Sequence, residues 1–124
     1  MTTITLTKHH GLGNDFLVVF HPPNADLAAL ARRLCDRRRG IGADGLLVGD
    51  SEPGYAARMV LYNADGSRAE MSGNGIRCFA QALSMRRGDL VPLHILTDAG
   101  DRLVDLTATS DPTETPPDCN DDKV

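Results

Sequence analysis

The chain has 124 residues, enough for one domain with a single modest core. Hydrophobic residues make up 41% of it without a run of about 18, so the sequence predicts no membrane span. The net charge of −4 comes entirely from the segment after Thr107, where five acidic residues accompany one lysine. The rest of the chain is neutral, which gives no bias toward nucleic acid or an anionic membrane surface.

The start of the chain, residues 1–8, lacks a positively charged segment followed by an apolar core. We therefore expect no secretory signal and a cytoplasmic protein. The three cysteines, Cys35, Cys78 and Cys119, form no CxxC pair and cannot all pair with one another, so reduced thiols are expected. Cys35 and Cys78 fall within apolar helical patterns, which favours a role as small buried residues.

Two strands are predicted near the start of the chain. Threonine alternates with larger residues in Ile4–Lys8, and an apolar run occupies Phe16–Phe20. Between them, residues 9–15 form a glycine-punctuated turn. Asn14 lies in this turn, where its amide can either reach a ligand from a rigid edge or close an Asx turn on its own backbone.

An amphipathic helix beginning at about Asp26 follows the second strand. Its apolar residues recur at i, i+3, i+4 and i+7: Leu27, Leu30, Ala31 and Leu34. Arginines crowd its end, at positions 32, 33 and 37–39. Because cations are favoured at the negative end of the helix dipole, this cluster predicts a solvated helix terminus in preference to a nucleic-acid patch.

Two features suggest a metal or a cofactor, and neither fits its context. His9 and His10 have no carboxylate or cysteine cluster at ligand spacing, so we expect them to be turn or surface residues. Residues 40–45 spell the GxGxxG string of dinucleotide-binding proteins. That string must follow a strand and open a helix, whereas here it follows a helix and leads into an extended run.

The second half of the chain predicts three further strands and a tail. A polar connection over 49–55 precedes a strand at Ala57–Tyr62, and two short strands cover 93–97 and 102–106. Beyond them, prolines, threonines and acids leave nothing apolar to bury, so residues 108–124 are expected to be a disordered tail.

The stretch from Asn63 to Cys78 combines turn chemistry with a helix start. Asn-Ala-Asp-Gly-Ser predicts a turn, and Gly73-Asn74-Gly75 opens a helix that is apolar nearly all round, which is typical of a buried helix. Glycines at a helix start let the backbone approach a ligand, with N–H groups and the positive dipole end suited to a carboxylate. An ordinary N-cap by Ser72 or Asn74 explains the same residues equally well.

This stretch resembles the signature of diaminopimelate epimerase, a cofactor-independent amino-acid epimerase. The matching residues are Asn-Ala-Asp-Gly-Ser at 63–67, then a four-residue gap, then Gly-Asn-Gly-Ile-Arg-Cys-Phe-Ala at 73–80. Two more segments fit in the same order, His-Gly-Leu-Gly-Asn-Asp-Phe at 10–16 and Asp-Arg-Arg-Arg-Gly-Ile-Gly-Ala-Asp-Gly at 36–45. The resemblance runs from Ile4 to about Thr107, the first of two similar domains in that family.

The resemblance implies a substrate site whose ligand-binding residues are Asn14, Asn63, Gly73 and Asn74. The two asparagines at 14 and 63 would supply side-chain amides, and Gly73 and Asn74 would supply backbone N–H groups for a substrate carboxylate. Some members of the family carry a glutamine at the position of Gly45, so we expect no side-chain contact there. The family requires neither pyridoxal phosphate nor a metal ion.

One position departs from the family pattern. Where the family has a cysteine that transfers the α-proton opposite a second cysteine, this chain has Ser72. A thiol of pKa ~8.5 at a helix N-terminus can be lowered toward working pH. A serine hydroxyl should lie nearer the ~15.7 of water, about 7 units higher, which at about 1.36 kcal/mol per unit is of order 10 kcal/mol. Unaided, Ser72 should transfer protons poorly.

We therefore expect an α+β domain over residues 1–107, with a curved, mostly antiparallel sheet wrapped around a central helix. The second family domain, which carries the other catalytic cysteine, should be absent. Two functions stay open: an isomerase that interconverts LL- and meso-diaminopimelate in lysine biosynthesis, weak or inactive alone, and a non-catalytic truncated module that binds an amino-acid ligand or a partner chain. A half-molecule would expose the cleft face, so a homodimer is a further expectation.

Overall fold

The computed structural model describes residues 5–11, 13–22, 26–88, 92–105 and 122–123. These residues form eight strands and two helices, in keeping with the predicted α+β class. In chain order they are β1 (Leu6–Gly11), β2 (Asn14–Phe20), α1 (Leu27–Cys35), β3 (Gly45–Asp50), β4 (Ala57–Asn63), β5 (Arg68–Ala69), α2 (Gly73–Arg87), β6 (Leu93–Thr97), β7 (Gly100–Val104) and β8 (Asp122–Lys123). Neither helix in the described ranges is long and apolar enough to cross a membrane.

The strands form one mixed sheet in the order β7-β6-β4-β3-β2-β1-β8, with β5 paired to β4 off this path. Most neighbours are antiparallel; the exceptions are β2 with β3 and β4 with β6. β2 and β3 are buried on both faces, which explains their uninterrupted apolar runs. These two strands lie inside the sheet, and each of their faces packs against one of the two helices.

The helix α2 packs on one face of the sheet and buries most of its circumference there. Phe79 lies at its centre, fully buried, with its ring centroid 5.5 Å from that of Phe20. Phe16 and Val18 of β2 and Leu47 of β3 belong to the same cluster. The prediction of a buried helix is confirmed, although Met85 near its end is 54% exposed.

The helix α1 covers the opposite face of the same two strands. Leu17 and Val19 of β2 alternate with the residues that face α2, and they join Leu46 and Val48 of β3 beneath α1. Cys35, at the end of α1, is 2% exposed. Cys78 is fully buried in α2, so both cysteines that the patterns placed in the core are there.

The prediction for residues 9–15 was wrong, because the turn is much shorter than expected. The β1–β2 ladder runs to the pair Gly11–Asn14, which leaves a two-residue connection with Gly13 at φ +89°. His9 is therefore a strand residue with no exposed surface, and its Nε2 lies 2.7 Å from the Thr7 hydroxyl oxygen. Asn14 begins β2 and is not part of a turn.

Three smaller differences concern element ends. β3 extends through Asp50, so the connection after it begins later than expected, and β5 was not predicted. Of the tail predicted over 108–124, the structure describes only Asp122 and Lys123, which pair with Lys8 and Thr7 of β1. There the expected disorder gives way to a short strand, because the outer edge of β1 offers unpaired backbone donors and acceptors. The rest of the predicted tail lies outside the described residues.

Candidate functional site

The two asparagines predicted to supply side-chain amides, Asn14 and Asn63, lie at one edge of the sheet. The parallel strands β2 and β3 both begin there, and β4, antiparallel to β3, ends there. Asn14 is the first residue of β2, and Asn63, the last of β4, lies opposite Gly45, the first of β3. The register thus brings Asn14 and Asn63, 49 residues apart in the sequence, to the same edge of the sheet.

The first turn of α2, Ser72 to Gly75, which we call the helix mouth, has two backbone N–H groups that no described residue accepts. Ser72 is the N-cap: its Oγ accepts from the Gly75 N–H at 3.0 Å, and its carbonyl oxygen accepts from Ile76 N–H at 2.9 Å. Among the described residues, no acceptor bonds the backbone N–H of Gly73 or of Asn74. These two groups at the positive end of the helix dipole can bind an anionic ligand.

A direct hydrogen bond joins the start of β2 to the helix mouth. The Nδ2 group of Asn74 donates to Oδ1 of Asn14 at 2.8 Å. Both side chains are half-buried, and Gly73 beside them is exposed with no atom within 4 Å of where a Cβ would stand. Two of the residues that the family resemblance implied are therefore in contact, next to open backbone.

Asn14 is also hydrogen-bonded to an ionic cluster that was not predicted from the sequence. The Asn14 Nδ2 donates to Oδ2 of Asp44 at 3.2 Å, and Arg37 donates to both carboxylate oxygens of Asp15, at 2.8 and 3.1 Å, and to Asp44 at 3.2 Å. Lys8 lies 3.5 Å from the Asp15 carboxylate. Arg37 was expected to be part of a solvated helix terminus; its side chain is 56% exposed and also joins Asp15, in β2, to Asp44, in the loop before β3. These partners lie 22 and 7 residues away along the sequence, so no local pattern announces them.

The cluster keeps Asp15 ionised. Hydrogen bonding to the Arg37 guanidinium lowers the pKa of the Asp15 carboxyl far below its ordinary range, and a hydrogen bond from the Asp44 backbone N–H lowers it further. The same contact raises the pKa of Arg37. Asp15 and Asp44 balance Lys8 and Arg37, so these four side chains carry no net formal charge.

Asn63 is engaged within its own turn. Its Nδ2 donates to the Ser67 Oγ at 3.0 Å, while Ser67 donates through its N–H and hydroxyl to one oxygen of Asp65, at 2.8 and 2.6 Å. These bonds lower the pKa of Asp65. Asn63 is exposed, and one N–H of its amide and its carbonyl oxygen have capacity for a ligand beyond the bond to Ser67.

Gly45 lies between the two asparagine-bearing strands and has no room for a side chain. A Cβ there would stand 2.9 Å from the Tyr62 carbonyl oxygen and 3.3 Å from Cδ1 of Phe16. The glycine permits the close approach of β2, β3 and β4 at this edge. The loop before it joins α1 to β3, which is the arrangement that argued against dinucleotide binding.

No thiol replaces the missing cysteine within the described residues. Cys78 is fully buried, and burial raises the pKa of the Cys35 thiol to about 11. Among the described residues there is also no group of three histidine, cysteine or acidic side chains placed to hold a metal ion. A surface hollow of about 660 Å³ lies elsewhere, along the outer face of α1, and is lined in part by Arg32, Arg33 and Arg39.

The fold is shared with solved structures of other proteins. Structures of phenazine biosynthesis proteins of the PhzF family superpose on this chain, one from Bacillus anthracis with a TM-score of 0.65 at 18% identity and one from Clostridium difficile with 0.67 at 12%. The superposed regions cover 85% and 83% of this chain but only 36% and 40% of the length of those two chains. At such identities the similarity defines the fold and nothing more.

Sequence comparison defines the family. The diaminopimelate epimerase family profile matches residues 6–115, and the chain belongs to that family of isomerases. The diaminopimelate epimerase of Caldanaerobacter subterraneus is 58% identical over 77 residues, which is 60% of this chain and 27% of that protein. The diaminopimelate epimerase of Desulfitobacterium hafniense is 42% identical over 112 residues, which is 86% of this chain and 40% of that protein. The chain thus spans well under half the length of these relatives.

Proposed function

We propose that this chain is the first half-site of a diaminopimelate epimerase, and that the helix mouth binds the α-carboxylate of the amino-acid substrate. The observation that carries this concerns the backbone N–H groups of Gly73 and Asn74, for which the described part of the chain offers no acceptor. The Asn14 amide, hydrogen-bonded to Asn74, lies beside them. Asn63, at the same sheet edge, supplies a second side-chain amide. Names of relatives at 42–58% identity support diaminopimelate as the ligand.

Ser72 occupies the position of the family's proton-transferring cysteine. Its Oγ accepts from the Gly75 N–H to cap α2, and within the described ranges its hydroxyl proton has no acceptor, so it can donate to a ligand. In the reaction as the family carries it out, one residue removes the α-proton while another delivers a proton to the opposite face. The second residue would have to come from a second domain or chain, and a second copy of this chain would bring another serine. Catalysis by this chain alone should therefore be very weak or absent.

The experiment follows deuterium at the α-carbon. The purified chain is incubated with diaminopimelate in heavy water, and α-deuterium uptake is measured by mass spectrometry beside net epimerisation. Ser72→Cys is compared with Ser72→Ala, which has the same backbone but no ionisable group. We expect slow exchange without net epimerisation in Ser72→Cys only. Equal rates in both variants, together with undetectable ligand binding, would overturn the half-site proposal.

A second candidate function is a non-catalytic module that binds an amino acid or a partner chain. The capping bond from the Gly75 N–H to Ser72 Oγ favours it, because this is a structural role that needs no chemistry. Saturable binding of diaminopimelate by the unmodified chain, with no exchange even in Ser72→Cys, would support the module. Gel filtration with and without ligand would show whether the chain self-associates.

A further inference from the structure

The Asn14 amide has hydrogen bonds at both ends. Asp44 Oδ2 accepts from its Nδ2, and its Oδ1 accepts from Nδ2 of Asn74. A carboxylate can only accept, so Asp44 determines which end of the Asn14 amide faces it. The opposite end of Asn14 must then present oxygen, so Asn74 must turn its NH₂ group inward. The direction of the whole chain of bonds is set at Asp44.

Asp44 is itself firmly held. It accepts from the Asp15 N–H at 3.1 Å as well as from Arg37, and its own N–H donates to Asp15 at both the backbone carbonyl and the carboxylate. Asp44 lies 30 residues from Asn14, and Asn14 lies 60 from Asn74. The bonds therefore connect the loop before β3, the start of β2 and the first turn of α2. An asparagine amide without such a partner would have two orientations of similar energy.

We propose that Asp44, held by Arg37, is a positioning residue that fixes the orientation of the Asn14 and Asn74 amides at the helix mouth. Asn74 then keeps its carbonyl oxygen, an acceptor, on the side away from Asn14. That orientation suits a ligand that brings a donor, such as an ammonium group, together with a carboxylate for the N–H groups of Gly73 and Asn74. The specificity part of this inference rests on the proposed function; the orientation part does not.

The first test is made without ligand. Asp44→Asn keeps the shape of the side chain but can donate as well as accept, so the Asn14 amide is free to turn. We expect the Asn14 side-chain NH₂ signals in a ¹⁵N–¹H spectrum to split into two sets or broaden. Asp15→Asn removes an equal charge from the same cluster but leaves the Asp44–Asn14 bond, and it should keep one set. One unchanged set in both variants would overturn the inference.

A double-mutant cycle, followed by thermal unfolding, provides a second test of the positioning role. Asn74→Asp places an acceptor against Oδ1 of Asn14, which cannot turn while Asp44 holds it, so the midpoint of thermal unfolding should fall. Combining Asn74→Asp with Asp44→Asn lets Asn14 turn and donate, and should restore part of the loss. Combining Asn74→Asp with Asp15→Asn removes one negative charge as well, but Asp44 still holds Asn14. This double variant should therefore recover less of the lost thermal stability. Equal recovery in the two double variants would contradict the positioning role.

Ligand affinity separates this inference from the proposed function. Titration with diaminopimelate should show about tenfold weaker binding in Asp44→Asn, the loss of roughly one well-oriented hydrogen bond. Undetectable binding by the unmodified chain overturns the proposed function and leaves the spectroscopic test of Asp44 decisive. Binding of unchanged strength in Asp44→Asn, with a single set of Asn14 signals, overturns the positioning role and leaves the half-site intact.

Discussion

Ser72→Cys places a thiol at the N-cap of α2. The pKa of that thiol reports how strongly the helix mouth stabilises a negative charge. An ordinary thiol has a pKa of ~8.5, and a helix N-terminus stabilises a negative charge by about 0.3–2 kcal/mol, depending on burial. At about 1.36 kcal/mol per unit this lowers the pKa by roughly 0.2–1.5 units. The neighbouring cluster of Asp15, Asp44, Lys8 and Arg37 has no net charge, so it should not cancel the effect.

The assay follows alkylation by iodoacetamide as a function of pH, with the labelled peptide quantified by mass spectrometry in a Cys119→Ser background. Cys35 and Cys78 serve as internal controls, because they are 2% and 0% exposed and should stay unlabelled while the protein is folded. Ser51→Cys, at an exposed position between β3 and β4, gives the reference thiol. We expect the midpoint for the thiol at position 72 to lie between about 7 and 8.3, below the reference. A midpoint equal to or above that of Ser51→Cys would refute the electrostatic account of the mouth.

Three further predictions concern the edge of the sheet. The pKa of Asp15 is lowered in the folded state by Arg37, so its stabilisation is present above the unfolded value of ~3.9 and is lost as pH falls below it. Because Arg37 is 56% exposed, we expect Asp15→Asn to lower the free energy of unfolding by only about 1–2 kcal/mol at pH 7, measured in urea. The variant should also lose less stability than the parent as the pH falls below about 4. An unchanged decline of stability in acid would contradict this. Gly45→Ala should destabilise by about 1–3 kcal/mol, because its Cβ would stand 2.9 Å from the backbone carbonyl oxygen of Tyr62, and a variant as stable as the parent would show that the strands can separate. Gly73→Ala meets no atom within 4 Å, so its stability should stay within about 1 kcal/mol of the parent while ligand affinity falls; loss of folding instead would show that the space beside Gly73 is not open.

Local patterns were sufficient for the parts of the fold that are governed by periodicity. The apolar run Phe16–Phe20 and the all-round apolar helix after Gly75 are the centre of the domain, and both were predicted from side chains alone. An N-cap by Ser72 or Asn74 was one of two interpretations of the helix start, and Ser72 is the N-cap. Each of these depends on neighbours within a few residues, which a single sequence displays directly.

What the sequence did not reveal depends on partners that are far apart along the chain. His9 looked like a turn residue because two glycines follow it closely, but the ladder to β2 continues past it and Thr7 supplies its hydrogen-bond partner. Arg37 looked like one of five similar arginines, and only the pairing of β2 with β3 brings Asp15 and Asp44 to it. An ionic cluster of this kind has no local signature.

The most direct test of the central claim is a titration of the ¹⁵N-labelled chain with meso-diaminopimelate, with cadaverine, the same carbon chain and amines without carboxylates, as the control. We predict saturable shifts of the backbone amides of Gly73 and Asn74 and of the side-chain amides of Asn14 and Asn63, and no such shifts with cadaverine. Shifts confined to the arginine-lined hollow on α1, or equal responses to both compounds, would contradict carboxylate binding at the helix mouth.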